Sequence, residues 1–92
     1  MYVILVYDIK MDDEGSKIWR NTFKICKRYL IHIQNSVFEG DLTKVQITSL
    51  QMELKKYIRK DKDSVILFKS RDAKWLEREM WGIQEDLTSR FL

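Results

Sequence analysis

The first strand of this chain is apolar on both of its faces. Residues 2–8 read YVILVYD. Tyr2, Ile4, Val6 and Asp8 share one face, and Val3, Leu5 and Tyr7, continued by Ile9, share the other. A strand with one wet face alternates apolar and polar residues, whereas a continuous run of branched and aromatic side chains is covered on both sides. The chain has 92 residues, enough for one domain and one core. Covering both faces of such a strand is therefore the problem that the rest of the sequence has to solve.

The remaining elements follow from periodicity and turn signals. A polar loop over 10–15 precedes a predicted helix over 16–30. Its apolar positions Trp19, Phe23, Cys26 and Leu30 step by four, three and four. Residues 31–42 read as a strand pair, with Asn35 and Ser36 at the turn. Thr43 and Gln46 match a capping box, opening a helix to about residue 60 that buries Ile47, Leu50, Leu54, Tyr57 and Ile58. A strand over 64–69 (SVILFK) follows, then a more open strand over 75–81. A tail over 82–92 keeps the apolar anchors Ile83, Leu87, Phe91 and Leu92.

This order, strand–helix–strand–strand–helix–strand plus one further strand, closes through right-handed crossovers into an antiparallel sheet with both helices on one face. The expected architecture is an α+β, ferredoxin-like βαββαβ sandwich, a single domain over 1–92. Two helices cover only one side of that sheet. A second copy packed on the open face about a twofold axis solves the problem posed by the first strand, so the chain is expected to be a homodimer.

Composition excludes several classes. The single cysteine, Cys26, rules out a disulfide framework and a cysteine-based zinc site, and lies in an apolar stripe as a core residue. Gly15, Gly40 and Gly82 are isolated, so there is no glycine-rich phosphate loop. No apolar run reaches transmembrane length, and no secretory leader opens the chain; the reading is a cytoplasmic protein without a membrane partner.

The net charge is only +3, but its distribution is uneven. Between Gly15 and Phe38 there is no acid, while Lys17, Arg20, Lys24, Lys27 and Arg28 fall there at helical spacing. An unmixed basic face repels itself slightly; contact with phosphates compensates that, so these five residues are read as a nucleic-acid-binding face in preference to a plain solvated one. Asp8, ending a buried strand, either bonds loop amides or holds a divalent ion. Asp12, Asp13 and Glu14 suit a helix N-terminus. His32 has no cysteine or histidine pattern around it and reads as a half-exposed strand residue. Phe38 reads as core or dimer packing before base stacking.

Two blocks, Tyr7-Asp8-Ile9 and Gln34-Asn35-Ser36-Val37-Phe38-Glu39-Gly40, follow one another in the order and spacing of a known family. Together with Asp63-Ser64-Val65 opening a late strand, they resemble the small CRISPR-associated adaptation protein, partner of the spacer integrase. The resemblance implies a dimer whose last strand or tail over 82–92 reaches the neighbour. It also implies a role bridging integrase subunits on a DNA duplex during spacer acquisition, and magnesium- or other divalent-metal-dependent endonuclease activity on single-stranded RNA or double-stranded DNA. Asp8 is the position that matches the family's metal ligand and catalytic residue. The alternative is a toxin-like metal-dependent ribonuclease of related fold outside CRISPR immunity.

Overall fold

The computed structural model describes residues 1–72 and 78–82. They form β1 (Tyr2–Asp8), α1 (Gly15–Tyr29), β2 (Ile31–Gln34), β3 (Val37–Asp41), α2 (Lys44–Lys55) and β4 (Ser64–Ser70). The strands lie in the order β2-β3-β1-β4, every neighbouring pair antiparallel. This is the ferredoxin-like sheet expected from the element order. Of the strand expected over 75–81, residues 75–77 lie outside the described residues, and the rest, 78–81, forms no strand. Of the tail expected over 82–92, only Gly82 is among the described residues.

β1 is central, registered from Tyr2↔Asp41 to Val6↔Val37 on β3 and from Tyr2↔Ser70 to Asp8↔Ser64 on β4. Its two apolar faces meet different fates. Val3, Leu5, Tyr7 and Ile9 are buried against Ile18, Ile25, Cys26, Leu30, Phe38, Leu50 and Leu54. Tyr2, Ile4 and Val6 remain half-buried on the face without helices. Beside them on β4, Ile66 and Phe68 are each 51% exposed.

Local signals placed most boundaries. Thr43 caps α2 reciprocally: its Oγ1 accepts from the Gln46 N–H at 3.1 Å, and its own N–H donates to Gln46 Oε1 at 2.9 Å. Asn35 takes φ 39°, the left-handed region that asparagine tolerates, and with Ser36 it joins β2 to β3 as expected. Gly15 opens α1 where an added methyl would overlap the Lys10 carbonyl, so the loop can close onto the helix only with glycine there.

Two details depart from the periodic reading. α2 ends at Lys55, short of residue 60, because the chain tightens there: the N–H groups of Tyr57 and Ile58 both donate to the Leu54 carbonyl, and Arg59 is held by Asp63 instead of continuing the helix. The buried face of α1 is also rotated. Ile18, Thr22, Ile25 and Cys26 are buried, while Trp19 and Phe23 lie at the rim. There Trp19 stacks on Phe23 at 5.2 Å and Phe23 meets Phe38 edge-on at 5.5 Å. Periodicity counted the aromatics and passed over Thr22, whose hydroxyl is fully buried without a hydrogen-bond partner. Thr22→Val removes that unsatisfied group at nearly constant shape and is expected to raise stability by about 1 kcal/mol. The urea midpoint should rise at unchanged slope; a fall would show that the hydroxyl is bonded in solution.

Among the described residues, no helix is long and apolar enough to cross a membrane.

Candidate metal and nucleic-acid sites

Asp8 ends β1 on the open face, paired through its backbone position with Ser64. Its side chain is exposed, and among the described residues it meets no cation and no hydrogen-bond donor. The expectation of a costly, buried carboxylate is therefore corrected for the single chain, where Asp8 is solvated. It becomes desolvated only if something covers the face. No three histidine, cysteine, aspartate or glutamate side chains gather to hold a metal among the described residues. One chain alone thus offers Asp8 as a single, uncommitted ligand.

The loops on either side of Asp8 are tied together by Arg59. Its Nη1 donates to both oxygens of Asp12 at 2.8 Å, and its Nη2 to the Lys10 carbonyl at 2.9 Å. Its Nε and Nη2 reach Asp63 at 2.9 and 3.0 Å. Asp63 also accepts the backbone N–H groups of Arg59 at 2.9 Å and Lys10 at 3.0 Å. Four donors around one carboxylate whose side chain is fully buried hold it charged; the Arg59 hydrogen bonds chiefly pull the Asp63 carboxyl down to about 2. Arg59 likewise holds Asp12 below the usual carboxylate range, through a hydrogen bond before charge. Asp12 is therefore committed to Arg59 and to Lys62 at 3.5 Å, which favours a structural role over one beside a metal. Glu14 occupies the N-cap position of α1 without a side-chain capping bond.

At the other end of the open face, Arg78 forks onto Glu39, with both bonds at 2.8 Å. The Tyr2 hydroxyl donates to the same carboxylate. Arg78 first, then Tyr2, keeps Glu39 below its ordinary range, and the bond to Glu39 raises the Tyr2 phenol. The described end of the chain thereby touches the open face.

The five basic residues of α1 are all exposed, but they do not form one uniform surface. Lys27 lies over the Phe23 ring, its Nζ 5.7 Å from the centroid, on the side of α1 where Phe23 meets His32 and Phe38. Arg28 turns the other way and pairs with Glu53 of α2, which also accepts from the Tyr29 hydroxyl. Lys24 and Arg28 line a cleft between the helices with Asn21, Ile25, Glu53, Lys56 and Tyr57. Tyr29 and Arg28 keep Glu53 ionised, its carboxyl lowered by these hydrogen bonds and by the nearby charge of Lys56.

His32 is half-exposed, its Nε2 2.9 Å from the Asn35 carbonyl and its ring against Phe23 and Phe38. It holds the hairpin and, among the described residues, faces no acid or nucleophile. Phe38 is fully buried, as a core residue. Sequence reading missed Arg59, Glu39 and the pairing of Glu53 with Arg28. The only signals for them were an arginine four residues before an aspartate and single acids among cations, patterns that solvated surfaces share.

Comparison with known proteins identifies the family and the fold. The family model described as CRISPR associated protein Cas2 matches residues 1–78. A CRISPR-associated endoribonuclease Cas2 of Fusobacterium nucleatum subsp. nucleatum is 61% identical over 92 residues, which is 100% of this chain and 87% of that protein. A crystal structure of Cas2 superposes with a TM-score of 0.76 at 32% identity, covering 100% of this chain and 98% of the other. That of Streptococcus pyogenes Cas2 at pH 6.5 gives 0.73 at 26% identity, covering 87% of this chain and 100% of the other.

Proposed function

The chain belongs to the CRISPR-associated protein Cas2 family, and from that premise we propose that it is a cytoplasmic, homodimeric nucleic-acid-binding adaptor that bridges subunits of the spacer integrase during CRISPR spacer acquisition. The observation that supports this reading is the open sheet face. Ile4, Val6, Ile66 and Phe68 lie side by side there across β1 and β4, with Ile66 and Phe68 half-exposed. A contiguous apolar patch on so small a domain marks an association surface. A twofold contact needs only that the patch match itself. The basic residues of α1 lie on the side away from the sheet core, so a dimer built through the sheets presents two such faces outward, where they can follow a duplex backbone without reading its sequence.

A second reading, metal-dependent phosphodiester cleavage of RNA or DNA, is favoured by one specific observation: Asp8 shares the open face with that patch and is uncommitted. Magnesium takes one or two protein carboxylates and fills the rest of its shell with water and phosphate oxygens. Two Asp8 side chains brought near a twofold axis suit it. Bound there, the ion would polarise a phosphodiester and acidify a water. The family match favours both readings over a toxin-like ribonuclease outside CRISPR immunity.

The dimer is tested first. Light scattering on dilute protein should give about twice the 11.2 kDa chain mass. Phe68→Glu, which places a charge in the patch, should give the single-chain mass with an unchanged far-ultraviolet spectrum. It should also lose capture of the integrase in a copurification assay. A wild-type monomer, or a Phe68→Glu protein that still dimerises, would remove the open face as the interface.

A further inference from the structure

The cleft between α1 and α2 combines features that the basic helix alone does not explain. Three cations, Lys24, Arg28 and Lys56, surround one carboxylate, Glu53. Arg28 is satisfied by that carboxylate, whereas Lys24 and Lys56 make no direct ion pair among the described residues. The cleft therefore keeps an excess of two positive charges around buried Ile25 and half-buried Tyr57. Lys17, Lys24 and Arg28 stand at intervals of seven and four residues, one ridge of a helix with 3.6 residues per turn. The ridge leads along α1 into the cleft, and Lys56, just past the end of α2, closes its far wall.

We infer that this cleft seats one backbone phosphate of a nucleic-acid strand, bound by Lys24, Arg28 and Lys56, and that Glu53 occupies the seat as an internal competitor until the phosphate arrives. The inference rests on the reading of α1 as a nucleic-acid face and extends it to α2. Glu53 is suited to the part. The hydrogen bonds from Tyr29 and Arg28 keep it anionic, so it offers Arg28 the same kind of partner that a phosphodiester does. The Arg28 side chain is 61% exposed in this pair, and exposed ion pairs are weak and salt-screened, so the exchange of one anion for another is nearly balanced. When it occurs, the Tyr29 hydroxyl still holds Glu53 at the wall of the cleft. Helix dipoles do not assist: the cleft lies toward the C-terminal ends of both helices, which favour cations. Binding therefore depends on the side-chain charges, and removing one of them should be visible.

The test is fluorescence-anisotropy titration of the full chain with a labelled DNA duplex over a salt series. Glu53→Gln keeps an acceptor for Tyr29 and removes the competing charge; it should bind about two- to fivefold more tightly than wild type, the range that an exposed ion pair is worth. Asp61→Asn, which changes net charge equally at an exposed position outside the cleft, should leave the affinity close to wild type. Lys56→Ala should weaken binding and reduce the magnitude of the slope of log affinity against log salt by about 0.9, one phosphate contact. If Lys24→Glu with Arg28→Glu weakens binding while Glu53→Gln and Lys56→Ala do not change it, the α1 face binds nucleic acid but the cleft is not its seat. Equal gains for Glu53→Gln and Asp61→Asn would also overturn the inference, as a general charge effect. A wild-type chain that does not bind duplex at all would instead overturn the underlying reading and this inference with it.

Discussion

If the chain cleaves nucleic acid with magnesium, Asp8→Asn is expected to lower that cleavage by orders of magnitude while leaving the chain folded. The substitution is nearly isosteric and removes the charge that a divalent ion requires. Asp8 is solvent-exposed and unpaired among the described residues, so losing its charge breaks no ion pair that stabilises the fold. Two carboxylates nearby, Asp12 and Asp63, are already held by Arg59. Dimerisation should survive, and it should strengthen slightly if two Asp8 carboxylates face one another, because neutralising them relieves like-charge repulsion. The informative measurements are magnesium binding by calorimetry, in-vitro cleavage, and expansion of the repeat array in cells. Cleavage lost with array expansion intact supports the adaptor reading as the cellular role. Loss of both in a folded dimer favours catalysis as that role. Cleavage at the wild-type rate in magnesium would remove Asp8 as the metal ligand.

What could be read from the sequence divides by the range over which the signals act. The two-faced β1, the Thr43–Gln46 capping box and the Asn35–Ser36 turn are each encoded within a few residues, and the structure shows all three. The burial of Val3, Leu5 and Tyr7 beneath the helices, with Ile4 and Val6 left on the other face, follows from strand alternation alone. The groups that organise the candidate sites are of another kind. Arg59 reaches Asp12 across 47 positions, Arg78 reaches Glu39 across 39, and Tyr29 reaches Glu53 across 24. Such pairs have no period. A lone arginine between helix and strand looks like surface until the β1–α1 loop is known to fold back against it. The same limit explains the basic face. Helical spacing groups Lys24, Lys27 and Arg28, but only the packing of α2 against α1 sends Arg28 toward Glu53 and leaves Lys27 over Phe23. It also explains Thr22: a polar residue in an apolar stripe reads as an interruption, and packing makes it the centre.

The Arg59 tie should be the most sensitive point of the fold. In Arg59→Met the Asp63 carboxylate, whose side chain is 0% exposed, keeps two backbone donors but loses the guanidinium that compensates its charge. A buried charge stripped of its partner is strongly destabilising, and in a domain of this size the melting temperature should fall by about 10 °C or more at neutral pH. The pH dependence identifies the cause. In the wild type Asp63 is depressed to about 2 from an ordinary 3.8, so its contribution is complete above about pH 4 and is lost as the pH falls toward 2. In the variant the uncompensated, buried carboxyl rises above its wild-type value, and protonation relieves it. The gap between wild type and variant should thus be widest at neutral pH and narrow as the solution is acidified below about 4. Asp63→Asn added to Arg59→Met removes the stranded charge and should recover part of the lost stability, a coupling that a double-mutant cycle measures directly. Thermal melts from pH 7 to pH 2.5 on the four proteins make the comparison. A variant as stable as wild type, or a gap that widens in acid, would show that the tie between the two loops beside Asp8 does not rest on this ion pair.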